Sequence, residues 1–396
     1  MCQVKIHNSI FIVLISLLIT SSVLVVSVSD AQLVKANPKT IIVPDDYPTI
    51  QAAIDNASQD STVFVKSGTY HETLTIEKPL SLIGEDSQNT IIKGIWNGHI
   101  QRPTIQISSD NVTISGFTIR DSLQVGIWVE RIGSNKQPLG CHIIGNNIMN
   151  NTLGIHTFGM SNPTTGIRYP SNLVISDNTI TQNTEYGIYC TTSNSTISGN
   201  NVTDNGWEGI IIDECVNVTV RGNNIKRNSR GLLLRWWGPF YVFGNNITDT
   251  GVGVVFGEYC SNSRVYEKNI AENSIGIQLD NVGDPDLIGK YNIVYNNNLV
   301  NNYQQVTVNP NSDVVSWDNN REGNYWSDYN GKDANSDGIG DTPYVIDANN
   351  KDRYPLMRPI AIPEFPNVLI STTLFIVMAI VVVLSQLKIK RNSVDQ

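Results

Sequence analysis

The chain has 396 residues, of which 16% are charged, and its formal net charge at pH 7 is −9. An acidic chain without a basic stripe does not suit the phosphate backbone of DNA or RNA, so nucleic acid is excluded as a partner. Asparagine, glycine and β-branched residues recur through the middle of the chain. This composition is typical of strands joined by tight turns.

The N-terminal segment predicts a signal peptide at residues 1–36. Lys5 precedes an apolar stretch at residues 10–28, and the small residues Ala31 and Ala36 follow. A basic start, an apolar centre and small residues near the cleavage point are the layout of a secretory signal. The alternative is that the apolar stretch stays in the membrane as an uncleaved anchor.

A repeat of about 22 residues organises residues 37–310. Short runs rich in Ile, Val and Thr alternate with Gly, Asn, Asp and Ser, which predicts strands and turns. Two markers share the period: an apolar residue after paired polar residues (Ile148, Ile180, Val202, Ile225, Ile247, Ile270, Leu299) and a glycine (Gly126, Gly154, Gly187, Gly209, Gly231, Gly253, Gly276). The pattern predicts a solenoid of about ten stacked coils, a parallel β-helix.

One column of asparagines is predicted to stack along the solenoid, because identical amides on neighbouring coils can hydrogen-bond to each other. Lys268 interrupts the column. Its members occupy the same place in successive units: Asn146, Asn178, Asn200, Asn223, Asn245 and Asn297.

Four cysteines remain after the predicted signal peptide: Cys141, Cys190, Cys215 and Cys260. Cys215 and Cys260 fall two coils apart, about 9.6 Å, which is too far for a disulfide. Two interpretations stay open, a disulfide between Cys190 and Cys215 or four buried thiols.

Three segments resemble a known family. Residues 48–54 (PTIQAAI) look like the opening of pectin-lyase-like right-handed β-helices, while residues 80–85 (LSLIGE) and 323–329 (GNYWSDY) resemble the NosD-like family of carbohydrate-binding and sugar-hydrolase repeats. The resemblance implies an all-β, single-stranded right-handed parallel β-helix with a short N-terminal capping helix. It does not imply one function, because this fold hosts lyases, hydrolases, binding modules and accessory proteins.

The NosD name also implies a copper accessory protein. The histidines and methionines show no cluster with the spacing of soft ligands, so copper is not expected. A structural envelope spacer, with charges that are solvated or paired across coils as Glu208 with Arg230, is a further alternative.

A sugar-binding edge is the preferred function. Four residues past the marker glycines, the units align Glu130, Phe158, Thr191, Asp213, Arg235, Gly257 and Asp280, with Glu214, Trp236, Trp237 and Glu258 beside them. Carboxylates and guanidinium groups hydrogen-bond to sugar hydroxyls, and indole rings stack on pyranose faces. We therefore expect Trp236, Trp237, Glu258 and Asp280 to bind a polysaccharide or envelope glycan.

Catalysis is the alternative for the same edge. Asp213, Glu214 and Arg235 are the candidate catalytic residues of a polysaccharide lyase or glycoside hydrolase, in which carboxylates or a basic side chain transfer protons.

Residues 311–360 are predicted to close the solenoid and carry an Asp-rich loop. Its oxygen ligands match the front of a Ca²⁺ loop, with glycine at the sixth position and the Ile339 carbonyl as a further ligand: Asp333, Asn335, Asp337 and Asp341. Tyr344 stands at the twelfth position, where an EF-hand has Glu. A structural Ca²⁺ site and an Asp/Asn/Gly turn without metal both remain open.

The C-terminal segment predicts a stalk and a transmembrane helix at residues 361–387. Residues 368–387 carry no charge, and the tail at 388–396 is basic. This arrangement places the tail in the cytoplasm and the solenoid at the cell surface. Residues 363–366 (PEFP) resemble the sorting signal at which a sortase-like enzyme releases some archaeal surface proteins; the alternative is a proline-stiffened stalk.

Overall fold

A computed structural model describes residues 39–95, 102–130, 136–162, 166–280, 291–310, 312 and 314–362. The predicted signal peptide and the predicted transmembrane helix lie outside these ranges. Within the ranges, no helix is both long and apolar enough to cross a membrane.

The chain winds into coils, and each coil contributes strands to three long parallel sheets, named A, B and C here. Sheet A has eleven strands in coil order: β1 (Thr40–Val43), β2 (Ser61–Val65), β5 (Leu80–Gly84), β8 (Thr113–Ser115), β11 (His142–Ile144), β16 (Val174–Ser176), β19 (Thr196–Ser198), β22 (Val218–Arg221), β25 (Phe240–Phe243), β28 (Arg264–Tyr266) and β31 (Ile293–Tyr295).

Sheet B also has eleven strands: β3 (Gly68–His71), β6 (Thr90–Lys93), β9 (Thr118–Arg120), β12 (Asn147–Met149), β17 (Thr179–Thr181), β20 (Asn201–Thr203), β23 (Asn224–Lys226), β26 (Asn246–Thr248), β29 (Asn269–Ala271), β32 (Asn298–Val300) and β34 (Tyr325–Trp326). The predicted apolar markers pair here in register, for example Ile180 with Val202 and Val202 with Ile225. The predicted period is therefore confirmed.

Sheet C has ten strands: β4 (Leu74–Ile76), β7 (Ile105–Ile107), β10 (Val125–Val129), β13 (Leu153–Thr157), β18 (Ile188–Cys190), β21 (Glu208–Cys215), β24 (Arg230–Trp237), β27 (Val252–Phe256), β30 (Ile275–Leu279) and β33 (Gln304–Val308). Two antiparallel pairs lie outside the three sheets: β14 (Met160–Asn162) with β15 (Gly166–Arg168), and β35 (Tyr344–Val345) with β36 (Lys351–Asp352).

The core is a continuous column of inward-facing Ile, Val and Leu side chains, one set per coil. The marker glycines lie where a coil turns most closely against its neighbour. A Cβ atom on Gly187 would lie 2.5 Å from the Gly209 carbonyl oxygen and 2.7 Å from the Val202 side chain. The recurring glycine is thus explained by lack of space between coils.

The predicted asparagine ladder is present. The Nδ2 of Asn178 donates to Oδ1 of Asn200 at 3.0 Å, and Asn200 donates to Asn223 at 2.9 Å. Lys268 breaks the ladder as predicted: it is fully buried, and its Nζ finds no hydrogen-bond partner among the described residues. Burial lowers the pKa of Lys268 well below its usual value.

A second asparagine ladder, which we did not predict, runs parallel to the first. Its members lie five residues after those of the first: Asn151, Asn183, Asn205, Asn228, Asn273 and Asn302. Thr250 replaces asparagine in one coil and donates its hydroxyl to Asn273 Oδ1 at 2.8 Å. The two ladders flank the sheet B strands of this region, except where Lys268 precedes β29 and Thr250 follows β26.

Both ends of the coil stack are covered. Helix α1 (Ile50–Asn56) buries Ile50, Ala53 and Ile54, and its N-cap Thr49 accepts a hydrogen bond from the Ala52 N–H at 3.2 Å. At the other end, Trp317 and Trp326 are buried.

The carboxylate of Asp352 joins this C-terminal cover to the solenoid. It accepts hydrogen bonds from the Asn324 N–H at 2.6 Å and from the Trp326 indole N–H at 2.8 Å.

The cysteines of the described residues lie in the core. Cys190 and Cys215 are thiols, and the Cys215 thiol donates to the Cys190 carbonyl oxygen at 3.1 Å. The structure confirms the interpretation with four buried thiols and does not form the disulfide between Cys190 and Cys215.

Candidate functional site

The exterior face of sheet C carries the residues that the repeat alignment brings together. Along β21, Ile210 and Ile212 enter the core, while Ile211 belongs to a separate outer cluster. Asp213 follows in the alternation and pairs in register with Arg235 on the next coil. The predicted alignment of these two residues is present in the structure.

A groove with a volume of about 500 Å³ opens on this face. Its floor is apolar, because Ile211 and Leu233 pack with Val255 outside the main core. Aromatic and charged side chains form the walls. The lining residues are Tyr186, Trp207, Glu208, Ile211, Ser229, Arg230, Leu233 and Arg235.

Trp207 forms the aromatic wall of the groove. The residue is 50% exposed, and its ring meets that of Tyr186 edge to face, with centroids 5.3 Å apart. The segments from Asn183 to Gly187 and from Asn205 to Gly209 each have one more residue between ladder asparagine and marker glycine than the segment from Asn228 to Gly231. We did not predict Trp207 as a site residue, although this extra residue is visible in the sequence.

Two ion pairs flank the apolar floor. Glu208 Oε1 lies 3.0 Å from Arg230 Nη1, which confirms the predicted pairing across coils, and Asp213 Oδ2 lies 2.8 Å from Arg235 Nη2. The hydroxyl of Tyr189 donates to the same Asp213 oxygen at 2.7 Å. Burial, and then this hydrogen bond, raises the pKa of Tyr189 to about 12.

An aromatic stack extends the face towards the N-terminal coils. The ring of His156 stacks on Trp128, with centroids 5.8 Å apart, and on Tyr189 at 4.8 Å. Burial lowers the pKa of His156 to about 4, so the imidazole is neutral at pH 7. The stacked rings cover each other's faces, so they build the wall of the sheet and leave little ring surface for a ligand.

The structure does not bring the predicted tryptophans into the groove. Trp236 and Trp237 have left-handed backbone, with φ of 54° and 81°, at the corner where β24 ends. Trp236 packs on Tyr259 with ring centroids 4.7 Å apart, and Trp237 meets Tyr169 at 6.4 Å. They form a corner cluster beside the groove.

The remaining predicted residues lie near this corner or farther along the solenoid. Glu214 accepts a hydrogen bond from the Tyr169 hydroxyl at 3.3 Å. Glu258 follows Gly257 and pairs through its carbonyl oxygen with the Trp236 N–H at 2.7 Å. Asp280 accepts from the Asn309 side chain on the next coil. Of the predicted residues, the groove region therefore joins Asp213 and Arg235.

In the Asp-rich loop, carboxylates bind the loop's own backbone. Asp333 accepts from the N–H groups of Asp337 and Gly338, at 3.1 and 2.9 Å. Asp341 accepts from the Ala334 N–H at 2.8 Å. These are the contacts of an Asp-rich turn, and the Ca²⁺ hypothesis stays a prediction.

Solved structures with this fold include proteins that act on or bind sugars. Pectate lyase Pel9A aligns with a TM-score of 0.50 at 14% identity, over 68% of this chain and 74% of that chain. XylC in complex with xylose aligns at 0.52 and 13% identity, over 67% of both chains. The tailspike of E. coli bacteriophage HK620 with a pentasaccharide aligns at 0.51 and 13% identity, over 70% of this chain and 58% of that one. At these identities the likeness shows the parallel β-helix fold alone.

A curated relative matches part of the chain. The uncharacterized protein YwoF of Bacillus subtilis (strain 168) is 30% identical over 115 residues, which cover 25% of this chain and 25% of that protein. The match therefore spans a quarter of the relative's length. A family model described as periplasmic copper-binding protein (NosD) matches residues 54–235 and 160–331.

Copper would require converging soft or imidazole donors. In the ranges that the structure describes, no group of three or more His, Cys, Asp and Glu side chains is placed to hold a metal ion. The thiols of Cys190 and Cys215 are buried in the core, and the imidazole of His156 lies between two rings. These residues do not assemble a donor set for copper.

The two family matches overlap and together run from residue 54 to residue 331 of the 396-residue chain. Within this span lie all the strands of the three sheets except β1, together with both asparagine ladders and the groove on sheet C. A match over more than half of the chain shows the family. The chain belongs to the NosD family.

Proposed function

We propose that this protein binds a polysaccharide or an envelope glycan in the groove on the exterior face of sheet C. The observation that carries the proposal is the half-exposed Trp207 ring above an apolar floor, with an ion pair on either side. Indole faces stack on the apolar faces of pyranose rings, and charged side chains hydrogen-bond to sugar hydroxyls. The fold supports the proposal, since XylC and the tailspike hold sugars on solenoids of this class.

Recognition is favoured over catalysis by how the carboxylates are used. Glu208 and Asp213 lie five residues apart on one strand, a separation of about 16 Å along the strand. A glycoside hydrolase holds its two carboxyl groups within about 9.5 Å. Asp213 is engaged by Arg235 and Tyr189, and Glu214 is engaged by Tyr169. The catalytic alternative with Asp213, Glu214 and Arg235 predicts that oligosaccharide is released from the glycan, and chromatography of the same glycan mixtures tests for it.

The experiment compares Trp207→Ala with the unchanged chain on a panel of neutral and acidic glycans. Loss of the stacking surface should weaken binding at least about tenfold. Tyr291→Ala is the matched control, because Tyr291 is 74% exposed and leads into β31 of sheet A. Unchanged binding in Trp207→Ala, with loss in Trp236→Ala or Trp237→Ala, would move the site to the corner cluster. A chain that binds no glycan would leave the structural spacer as the function.

We also propose that the solenoid works outside the cytoplasm, exported by residues 1–36 and anchored by the helix at 368–387. The periplasmic description of the family supports this location. Protease should digest the solenoid on intact cells, and a chain that ends before residue 363 should appear in the medium. A sortase-like enzyme would leave a membrane-free surface form that lacks residues beyond the 363–366 signal. Protection of the solenoid on intact cells would contradict the location.

Ca²⁺ in the Asp-rich loop remains a proposal, supported by the oxygen spacing of Asp333, Asn335, Asp337 and Asp341 together with the Ile339 carbonyl. Added Ca²⁺ should raise the melting temperature of the unchanged chain and leave that of Asp337→Asn unaltered. Equal melting with Ca²⁺ and with a chelator would instead support the metal-free turn.

A further inference from the structure

The groove presents positive charge, although the chain as a whole carries −9. Three charged residues line it, Glu208, Arg230 and Arg235. Asp213 pairs with Arg235, and the half-buried Glu185 acts on Tyr186 at one wall. The paired groups are not equally accessible. The side chains of Glu208 and Asp213 are each 8% exposed, whereas those of Arg230 and Arg235 are 44% and 36% exposed. Glu208 and Asp213 are therefore more buried than the guanidinium groups that pair with them, so a ligand that contacts either pair meets the cation first.

The arginines keep hydrogen-bonding capacity for a ligand. A guanidinium has five N–H donors in a planar fork. Arg230 approaches Glu208 through Nη1, and Arg235 approaches Asp213 through Nη2. The Nε of Arg235 is buried without a hydrogen-bond partner within the described part of the chain, so a ligand would have to bind the terminal nitrogens of this side chain. The buried carboxylates hold both guanidinium groups in place, which lowers the entropy that ligand binding would otherwise cost.

The two arginines are spaced along one strand. Arg230 is the first residue of β24, and Arg235 lies two residues before its end. The two residues are about 16 Å apart along the strand. Trp207 lies on the coil before them, at the Arg230 end. A sugar chain of several pyranose units would reach both cations while one ring covers the indole.

We infer that the ligand of this groove is an anionic glycan whose uronate carboxylates bind Arg230 and Arg235. The inference rests on the proposed glycan recognition and names the class of glycan. A carboxylate is planar and matches the guanidinium fork with two parallel hydrogen bonds. Neutral sugars would use the Trp207 face and the hydroxyl contacts only, and bind more weakly.

The experiment uses the full chain and two probes that share one backbone: an oligogalacturonate, and the same oligosaccharide with its carboxyl groups reduced to alcohols. The uronate form should bind at least about tenfold more tightly, and added salt should reduce this advantage. Arg230→Gln and Arg235→Gln should each remove most of it, whereas Arg230→Lys should restore part. The control is Arg227→Gln, since Arg227 forms an exposed pair with Asp204 beside sheet B.

Folding of the variants is checked by circular dichroism and thermal melting, because Arg235→Gln leaves Asp213 buried without its cation. If that variant does not fold, Asp213→Asn with Arg235→Gln removes the pair as a unit and tests the same prediction. Equal binding of both probes, unaffected by the arginine substitutions, would overturn the anionic class and leave glycan recognition standing. Binding of dextran sulfate without binding of oligogalacturonate would show that the arginines bind sulfate groups, and would overturn the assignment of uronate carboxylates as their ligands. Failure of every glycan to bind would overturn the proposed function itself.

Discussion

His156 is a titratable residue placed where only its neutral form is stable. It stacks between Trp128 and Tyr189, and its Nε2 finds no partner among the described atoms. Burial lowers its pKa from 6.5 to about 4. Between these two pH values the unfolded chain binds a proton that the folded chain does not. The stability that the neutral ring contributes is therefore lost as the pH falls from 6.5 towards 4.

We expect His156→Phe to remove this acid sensitivity, because phenylalanine stacks without titrating. Relative to the variant, the unchanged chain should lose about 3 kcal/mol of unfolding free energy between pH 6.5 and 4, measured by urea unfolding. Asp352, whose pKa burial raises to about 6, has the opposite effect as pH falls, and it is present in both proteins. Trp128→Phe is the control and should cost a pH-independent amount. A difference that stays constant with pH would contradict the prediction.

At the level of elements, the asparagine ladders join the coils, and Lys268 is a defect in the first one. Asn297 Oδ1, which in a regular ladder accepts from the preceding coil, has no partner within the described residues. Lysine offers donors but no acceptor. The substitution therefore leaves Lys268 Nζ and Asn297 Oδ1 without hydrogen-bond partners among the described residues.

Lys268→Asn should stabilise the protein, since asparagine would accept from the Asn245 N–H and donate to Asn297. Satisfying these groups is expected to add about 1 to 3 kcal/mol to the unfolding free energy. Chemical denaturation measures the gain. The control is Thr250→Asn in the second ladder, where Thr250 already donates to Asn273, so a smaller change is expected. A less stable Lys268→Asn chain would show that the lysine is needed where it lies.

The sequence predicted the site residues that occupy equivalent positions in successive coils, and it missed those at positions that differ between coils. Asp213 and Arg235 could be aligned because each lies four residues past a marker glycine, and this alignment holds. Trp207 could not be placed in the same way, because it lies before the marker glycine, in a segment whose length differs between coils. Trp236 and Trp237 were expected beside Asp213, but left-handed backbone turns them to the corner. The spacing of the repeats does not indicate where the backbone becomes left-handed.

For the whole molecule, stability is distributed along a row of coils, and the ends need cover. The segment at residues 314–362 buries Trp317 and Trp326 and is joined to the last coils by Asn324. Without it, the final strands of the sheets would present unpaired N–H and C=O groups.

A chain ending after residue 310 should therefore associate end to end. Light scattering should show mass increasing with protein concentration, whereas a chain ending after residue 362 should show one mass throughout. Truncated chains that stay monomeric at every concentration would indicate that the last coil closes itself.

The first ladder has a direction. Each asparagine donates towards the C-terminal coil, so the row starts with an oxygen, which accepts from the Phe117 N–H at 3.2 Å, and ends with N–H groups. The N–H groups at the end of the row need a hydrogen-bond acceptor. The carboxylate of Asp352 supplies it, because it accepts from the Asn324 N–H. The amide dipoles add along the row, and an anion at its donor end is favourable as at a helix N-terminus. The solenoid therefore has a polarity along its axis. Coils can be inserted in its middle, but its two ends cannot be exchanged.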